Sequence, residues 1–120
     1  MTTDTSPVVT FGEILTRFHA PGHRRLRQSL PGTLDVSFAG SEANVAASLA
    51  MFGVEARFVT VLPQNPIAEA CQGFLRSVGV NTDSIIVVPE SRMGTYYIER
   101  GANQRPSAVE YDRQHSAIAD

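Results

Sequence analysis

Two short segments carry side chains whose types and spacing could do chemistry. In Ala39-Gly40-Ser41-Glu42-Ala43-Asn44-Val45-Ala46 an alternating apolar run ends, a glycine follows, and helix-like sequence begins at once. Small residues let a ligand approach the backbone, and the first turn of a helix offers N–H groups that have no intrahelical acceptor. Asn44, in that turn, carries a donor and an acceptor on one amide, which suits a hydroxyl. A plain strand-to-helix turn has the same spacing, so spacing alone leaves both possibilities open. In Val109-Glu110-Tyr111-Asp112-Arg113 a period of two puts Val109, Tyr111 and Arg113 on one face, with Glu110 and Asp112 on the other. A Tyr beside an Arg can hold an anionic, hydroxylated ligand, because the guanidinium offers a carboxylate two parallel hydrogen bonds. A surface ion pair next to a half-buried tyrosine fits the same pattern. Tyr96, on the partner strand of a predicted hairpin, could line that face, although register is not readable from sequence.

Other chemistries are excluded by what is missing. The chain has 120 residues and a formal charge of -2, and all ten of its basic residues are Arg. Without Lys there is no P-loop lysine, Schiff-base lysine or lysine general base. No G-x-G-x-x-G or G-x-S-x-G occurs, and a His-based metal site is not expected. His19, His23 and His115 read as exposed loop residues. The single cysteine, Cys71, rules out an intrachain disulfide and a thiolate zinc site. A slightly acidic balance argues against nucleic acid or an anionic membrane as a charge-driven partner. Residues 1–7 are polar and read as a disordered tail, with neither a signal peptide nor a membrane span, so the expected location is cytoplasmic.

These residues need elements to position them. Residues 8–15 read as one buried strand with Gly12 near its end, and 34–39 alternate as a half-buried strand. A helix over 42–52 would be capped by Ser41, bury Val45, Leu49 and Phe52 as one stripe, and stop at Gly53. A strand over 56–62 is followed by a helix capped by Asn65 with Pro66 in its first turn. In that helix Ile67, Cys71, Phe74, Leu75 and Val78 form the apolar stripe, which makes Cys71 a packed core thiol rather than a nucleophile. Residues 84–88 read as a further short strand. The basic run His23-Arg24-Arg25-Leu26-Arg27 reads as a solvated loop. Strands alternating with helices of this length predict a parallel α/β sheet. Residues 93–100 and 107–113 form a hairpin whose loop spans 101–106. Together with 33–39 they fall outside that rhythm and predict a small separate sheet.

In this order the segments resemble the start of a PfkB-type, ribokinase-like carbohydrate kinase, over nearly the whole chain. Gly40-Ser41-Glu42-Ala43-Asn44-Val45-Ala46 resembles the family's first signature, with Ala39 in place of its first glycine. Gly12-Glu13, Gly94-Thr95-Tyr96 and Tyr111-Asp112-Arg113-Gln114-His115-Ser116-Ala117 resemble the 2-keto-3-deoxygluconate kinase branch. The resemblance implies an α/β core with a β-sheet lid, and transfer of a phosphoryl group from ATP to a sugar hydroxyl with Mg²⁺. It places Gly40 and Asn44 on sugar hydroxyls, Tyr96 and Tyr111 on the lid side of the pocket, and Arg113 on a substrate carboxylate. It also implies a possible homodimer through the lid.

The family's second signature carries its aspartate base and its anion hole, and no such segment is present. Residues 8–120 are therefore expected to be the N-terminal part of such a domain, with the ATP-binding half absent. The chain would supply much of the sugar side and no catalytic residue, and would be inactive alone. Two alternatives stand beside the sugar-acid kinase: a fructokinase- or ribokinase-like kinase for a neutral sugar, and a truncated, non-catalytic remnant that binds sugar or dimerises.

Overall fold

Short β-branched runs alternating with helices of 11 and 12 residues fold here as parallel β-α-β units. The computed structural model describes residues 6–101 and 107–120. Residues 1–5 of the expected tail and 102–106 of the expected hairpin loop lie outside the described residues. The elements are β1 (Val8–Phe11), β2 (Leu15–His19), α1 (Leu26–Ser29), β3 (Asp35–Ala39), α2 (Ser41–Met51) and β4 (Ala56–Val59), followed by β5 (Val61–Pro63), α3 (Pro66–Ser77), β6 (Ile86–Val88), β7 (Thr95–Glu99) and β8 (Ala108–Asp112).

The core sheet is parallel. β1 pairs with β4 in the register Val8↔Ala56 to Phe11↔Val59, and β5 pairs with β6 in the register Val61↔Ile86 to Pro63↔Val88. β4 and β5 are halves of one extended segment that changes partner at Thr60. The Val59 carbonyl accepts from Gly12 N–H (3.2 Å), and the next carbonyl, of Thr60, accepts from Ile86 N–H (3.0 Å). Successive carbonyls point to opposite edges of a strand, so the spatial order is β1, β4/β5, β6.

One face of this sheet carries Ala56, Phe58, Thr60 and Leu62, all buried under α2 and α3. Burying a side chain the size of Phe58 contributes about 1.5–3 kcal/mol. α3 follows its sequence pattern at its cap and at Cys71 and Leu75, whereas Ile67 and Phe74 of the expected stripe are 54% and 42% exposed. The Asn65 side chain accepts from Ala68 N–H (2.9 Å), Pro66 opens the first turn, and Cys71 and Leu75 are sealed in the core. α2 departs from its pattern. It starts at Ser41, with Gly40 rather than Ser41 in the cap position. Its buried residues are Ala43 and Ala46, whereas Val45 is 50% and Phe52 84% exposed. Small alanines let the helix sit close to the sheet, so the contact face is marked by small size rather than by large apolar side chains. Gly53 and Gly79, both at positive φ, end the two helices.

A second sheet of four strands has the order β3-β2-β7-β8. Its inner pair, β2 and β7, is parallel, and both outer pairings are antiparallel. The sequence pattern had suggested three strands. The fourth is β2, because residues 8–15 are not one strand: the chain leaves the core at Glu13-Ile14 and re-pairs in the second sheet. His19 consequently lies on β2, not in a loop, and the basic run continues into the one-turn helix α1. No helix among the described residues is long and apolar enough to cross a membrane.

Candidate functional site

The cleft between the two sheets forms where the chain crosses from one to the other. Four crossings meet there: Glu13-Ile14 from β1 to β2, Gly40 from β3 to α2, Met93-Gly94 before β7, and Arg113 after β8. The cleft has a volume of about 420 Å³, within the range of small-ligand sites. Gly40, Asn44, Tyr96, Tyr111 and Arg113, the five residues singled out from sequence, all line it. Glu13, Leu15, Ser41 and Glu42 line it as well.

Each side chain has a local reason for its place. Gly40 is extended, and a Cβ there would collide with the Glu13 carbonyl oxygen and sit 3.2 Å from Ile14 Cα. Glycine is thus required by the close approach of two backbone crossings, independently of any ligand. Its carbonyl accepts from Asn44 N–H (2.8 Å), so Asn44 sits in the first turn of α2 with its side chain toward the cleft. The exposed N–H groups and the dipole at this helix start favour oxygen-rich or anionic ligands.

On the lid side the hairpin register pairs Tyr96 directly with Tyr111. Their ring centroids are 5.5 Å apart at 32°, a tilted pair that makes a continuous aromatic wall. Arg113 lies two residues on, on the same face, with its guanidinium carbon 4.6 Å from the centre of the Tyr111 ring. The turn that follows β8 is clamped by Arg92, which donates to the carbonyls of Asp112 (2.7 Å) and Gln114 (3.0 Å) and pairs with the Asp112 carboxylate at 3.1 Å. That clamp holds the end of β8, and so the base of Arg113, against the core.

Glu13 is the feature that sequence reasoning passed over. Its Oε1 lies 3.9 Å from Arg113 Nη1, and its Oε2 accepts from the Ser116 hydroxyl at 2.8 Å. Ser116 is 103 positions away along the chain, and no local spacing could have joined the two. Gly94 makes room for the pair: a Cβ there would sit 2.9 Å from Arg113 Cβ and 3.1 Å from Glu13 Oε2.

The arrangement can grip a small polyol that carries one negative charge. Amide, tyrosine and carboxylate groups suit hydroxyls, the rings can cover a sugar face, and the guanidinium can take a carboxylate. A resident cation is a different matter. Among the described residues no group of three or more His, Cys, Asp or Glu could hold a metal ion, so the donors for Mg²⁺ that the resemblance implies are not found here.

Comparison with known proteins bears on the family and the fold. A family model for pfkB family carbohydrate kinases matches residues 6–120. A 2-dehydro-3-deoxygalactonokinase of Haloferax volcanii is 34% identical over 114 residues, which cover 95% of this chain and 35% of the relative. The crystal structure of a 2-dehydro-3-deoxygluconokinase from Thermotoga maritima superposes with a TM-score of 0.90 at 52% identity, over 95% of this chain and 34% of that one. An uncharacterised sugar kinase from Pyrococcus horikoshii, crystallised with ATP, shares the fold at a TM-score of 0.78 and 18% identity, over 92% of this chain and 35% of that one. The chain thus spans about a third of the length of the proteins it matches.

Proposed function

This chain belongs to the pfkB family of carbohydrate kinases and has their ribokinase-like fold, and from that membership we propose that it forms the sugar-gripping side of a kinase for a sugar acid of the 2-keto-3-deoxygluconate type. In the proposed reaction a substrate hydroxyl oxygen bonds to the γ-phosphorus of ATP, the bond from that phosphorus to ADP breaks, and the hydroxyl proton is released. Asn44 hydrogen-bonds sugar hydroxyls, and Gly40 leaves the backbone open beside them. Tyr96 and Tyr111 cover the sugar, and Arg113 pairs with its carboxylate. No phosphate-side group and no catalytic base is assigned to the described residues, although transfer needs the reacting phosphates to be positioned and their charge stabilised.

The observation that carries the reading is Arg113, stacked on Tyr111 and aimed into a cleft otherwise furnished for hydroxyls. A neutral sugar would leave that cation without a ligand partner. The names of the Thermotoga and Haloferax relatives point to the same substrate class. The test is equilibrium binding to the 120-residue chain, followed by calorimetry or NMR titration. 2-Keto-3-deoxygluconate is compared with 3-deoxyfructose, in which a hydroxymethyl group replaces the carboxylate. The acid should bind more tightly, and Arg113→Ala should remove about tenfold of its affinity while leaving the neutral analogue nearly unchanged. Equal affinities, or equal losses, would show that the arginine does not read a carboxylate.

A further inference from the structure

We propose that Glu13 is a positioning residue for Arg113, which it holds ready for a ligand carboxylate and so biases the cleft toward acidic sugars. The inference rests on the sugar-acid reading above and adds a residue to it.

Glu13 is held from behind. The Ser116 hydroxyl that donates to its Oε2 belongs to a residue only 1% exposed, and the Ser116 N–H is itself given to the Arg113 carbonyl (3.3 Å). The carboxylate is therefore oriented by the same turn that carries the arginine. Its other oxygen faces Arg113 Nη1 at 3.9 Å, beyond direct hydrogen-bond length. At that distance the carboxylate steers the guanidinium by charge without occupying its fork. The Tyr111 ring supports the cation, and the Arg113 side chain remains 55% exposed toward the cleft. An arginine closed onto a carboxylate in two short hydrogen bonds would have to be pulled away before it could take a ligand. An arginine with no partner would lose several rotatable bonds on binding. The Glu13 arrangement avoids both costs, and Gly94 supplies the space for it.

The test uses the same two ligands and adds a double-mutant cycle on the 120-residue chain. Glu13→Gln keeps the shape and removes the charge. It should weaken 2-keto-3-deoxygluconate by about fivefold or more and change 3-deoxyfructose by less than about twofold. In an Arg113→Ala background the same substitution should have almost no further effect on the acid, since a residue acting through Arg113 has nothing left to position. Equal loss for both ligands, or full loss in the Arg113→Ala background, would mean that Glu13 is a scaffold or touches the sugar itself. A gain in acid affinity would mean that it repels the carboxylate. Either result overturns the proposal. If Glu13→Gln does not fold, Ser116→Ala is read in its place, and loss confined to the acid supports the proposal while equal loss rejects it. The unmutated chain separates the two claims: if it does not prefer the acid, the function reading fails first, whereas a preference that Glu13→Gln leaves intact removes this inference alone.

Discussion

Cys71 shows how far a side chain's neighbours set its chemistry. The thiol is fully buried, and burial pushes it up from 9.0 to about 12. The folded protein therefore keeps the proton over a range in which the unfolded chain releases it. That contribution to stability is complete below about pH 9 and is lost as pH rises toward 12. Iodoacetamide at pH 8.5 should alkylate Cys71 at least about 100-fold more slowly in the native chain than in urea, read by intact mass. Comparable rates would mean that the thiol is not sealed. Helical spacing in the sequence already placed Cys71 on a buried stripe, because its neighbours on that stripe are few and local. Alternation likewise put Tyr111 and Arg113 on one face. Glu13 was legible only as part of a family-like dipeptide, since its partners, Arg113 and Ser116, reach it through tertiary folding.

Among the elements, the two long helices differ in how openly the sequence declares them. α3 has a side-chain cap, a proline in its first turn and large apolar residues at helical spacing, and these signals agree with one another. Asn65→Ala should remove the hydrogen bond to Ala68 N–H and cost about 1 kcal/mol, read from the urea midpoint. α2 has no side-chain cap bond and buries alanines, and of the stripe read from apolar periodicity only Leu49 packs against the core, while Val45 and Phe52 are exposed. Phe52→Ser should accordingly change stability by less than about 0.5 kcal/mol, although the stripe drawn from sequence would make it a core substitution. β2 was missed for a related reason. Leu15-Thr16-Arg17-Phe18-His19 is less apolar than the run before it, and the short Gly12-Glu13-Ile14 break holds no proline to mark a change of sheet.

The whole molecule is more open than its length suggests. Its radius of gyration is 16.3 Å, against about 13.5 Å for a compact chain of this size, and its extents are 57 × 37 × 20 Å. Only one face of the parallel sheet is covered by α2 and α3. The other carries Val9, Phe11, Ile86 and Val88, which are 58%, 64%, 56% and 38% exposed. Parallel sheets are ordinarily buried on both faces, and uncovered apolar strands drive association. The 120-residue chain should self-associate with rising concentration, and Ile86→Lys should reduce this in sedimentation velocity. An unmodified chain that stays monomeric at high concentration would contradict the expectation. The alternation of strands and helices made the α/β class readable, but the uncovered face depends on how the elements assemble, and no local pattern encodes it.

The four crossings that meet at the cleft also bear on timing. Asn44 stands on the core side of this seam, and Tyr111 and Arg113 stand on the lid side. A ligand gripped by both sides spans the seam, and lifting the lid from the core would break its contacts with one side all at once. Its residence time would then depend on how firmly the two sheets are held together as well as on the sum of its contacts. Substitutions at Gly94, which does not itself line the cleft, would be felt first in the dissociation rate.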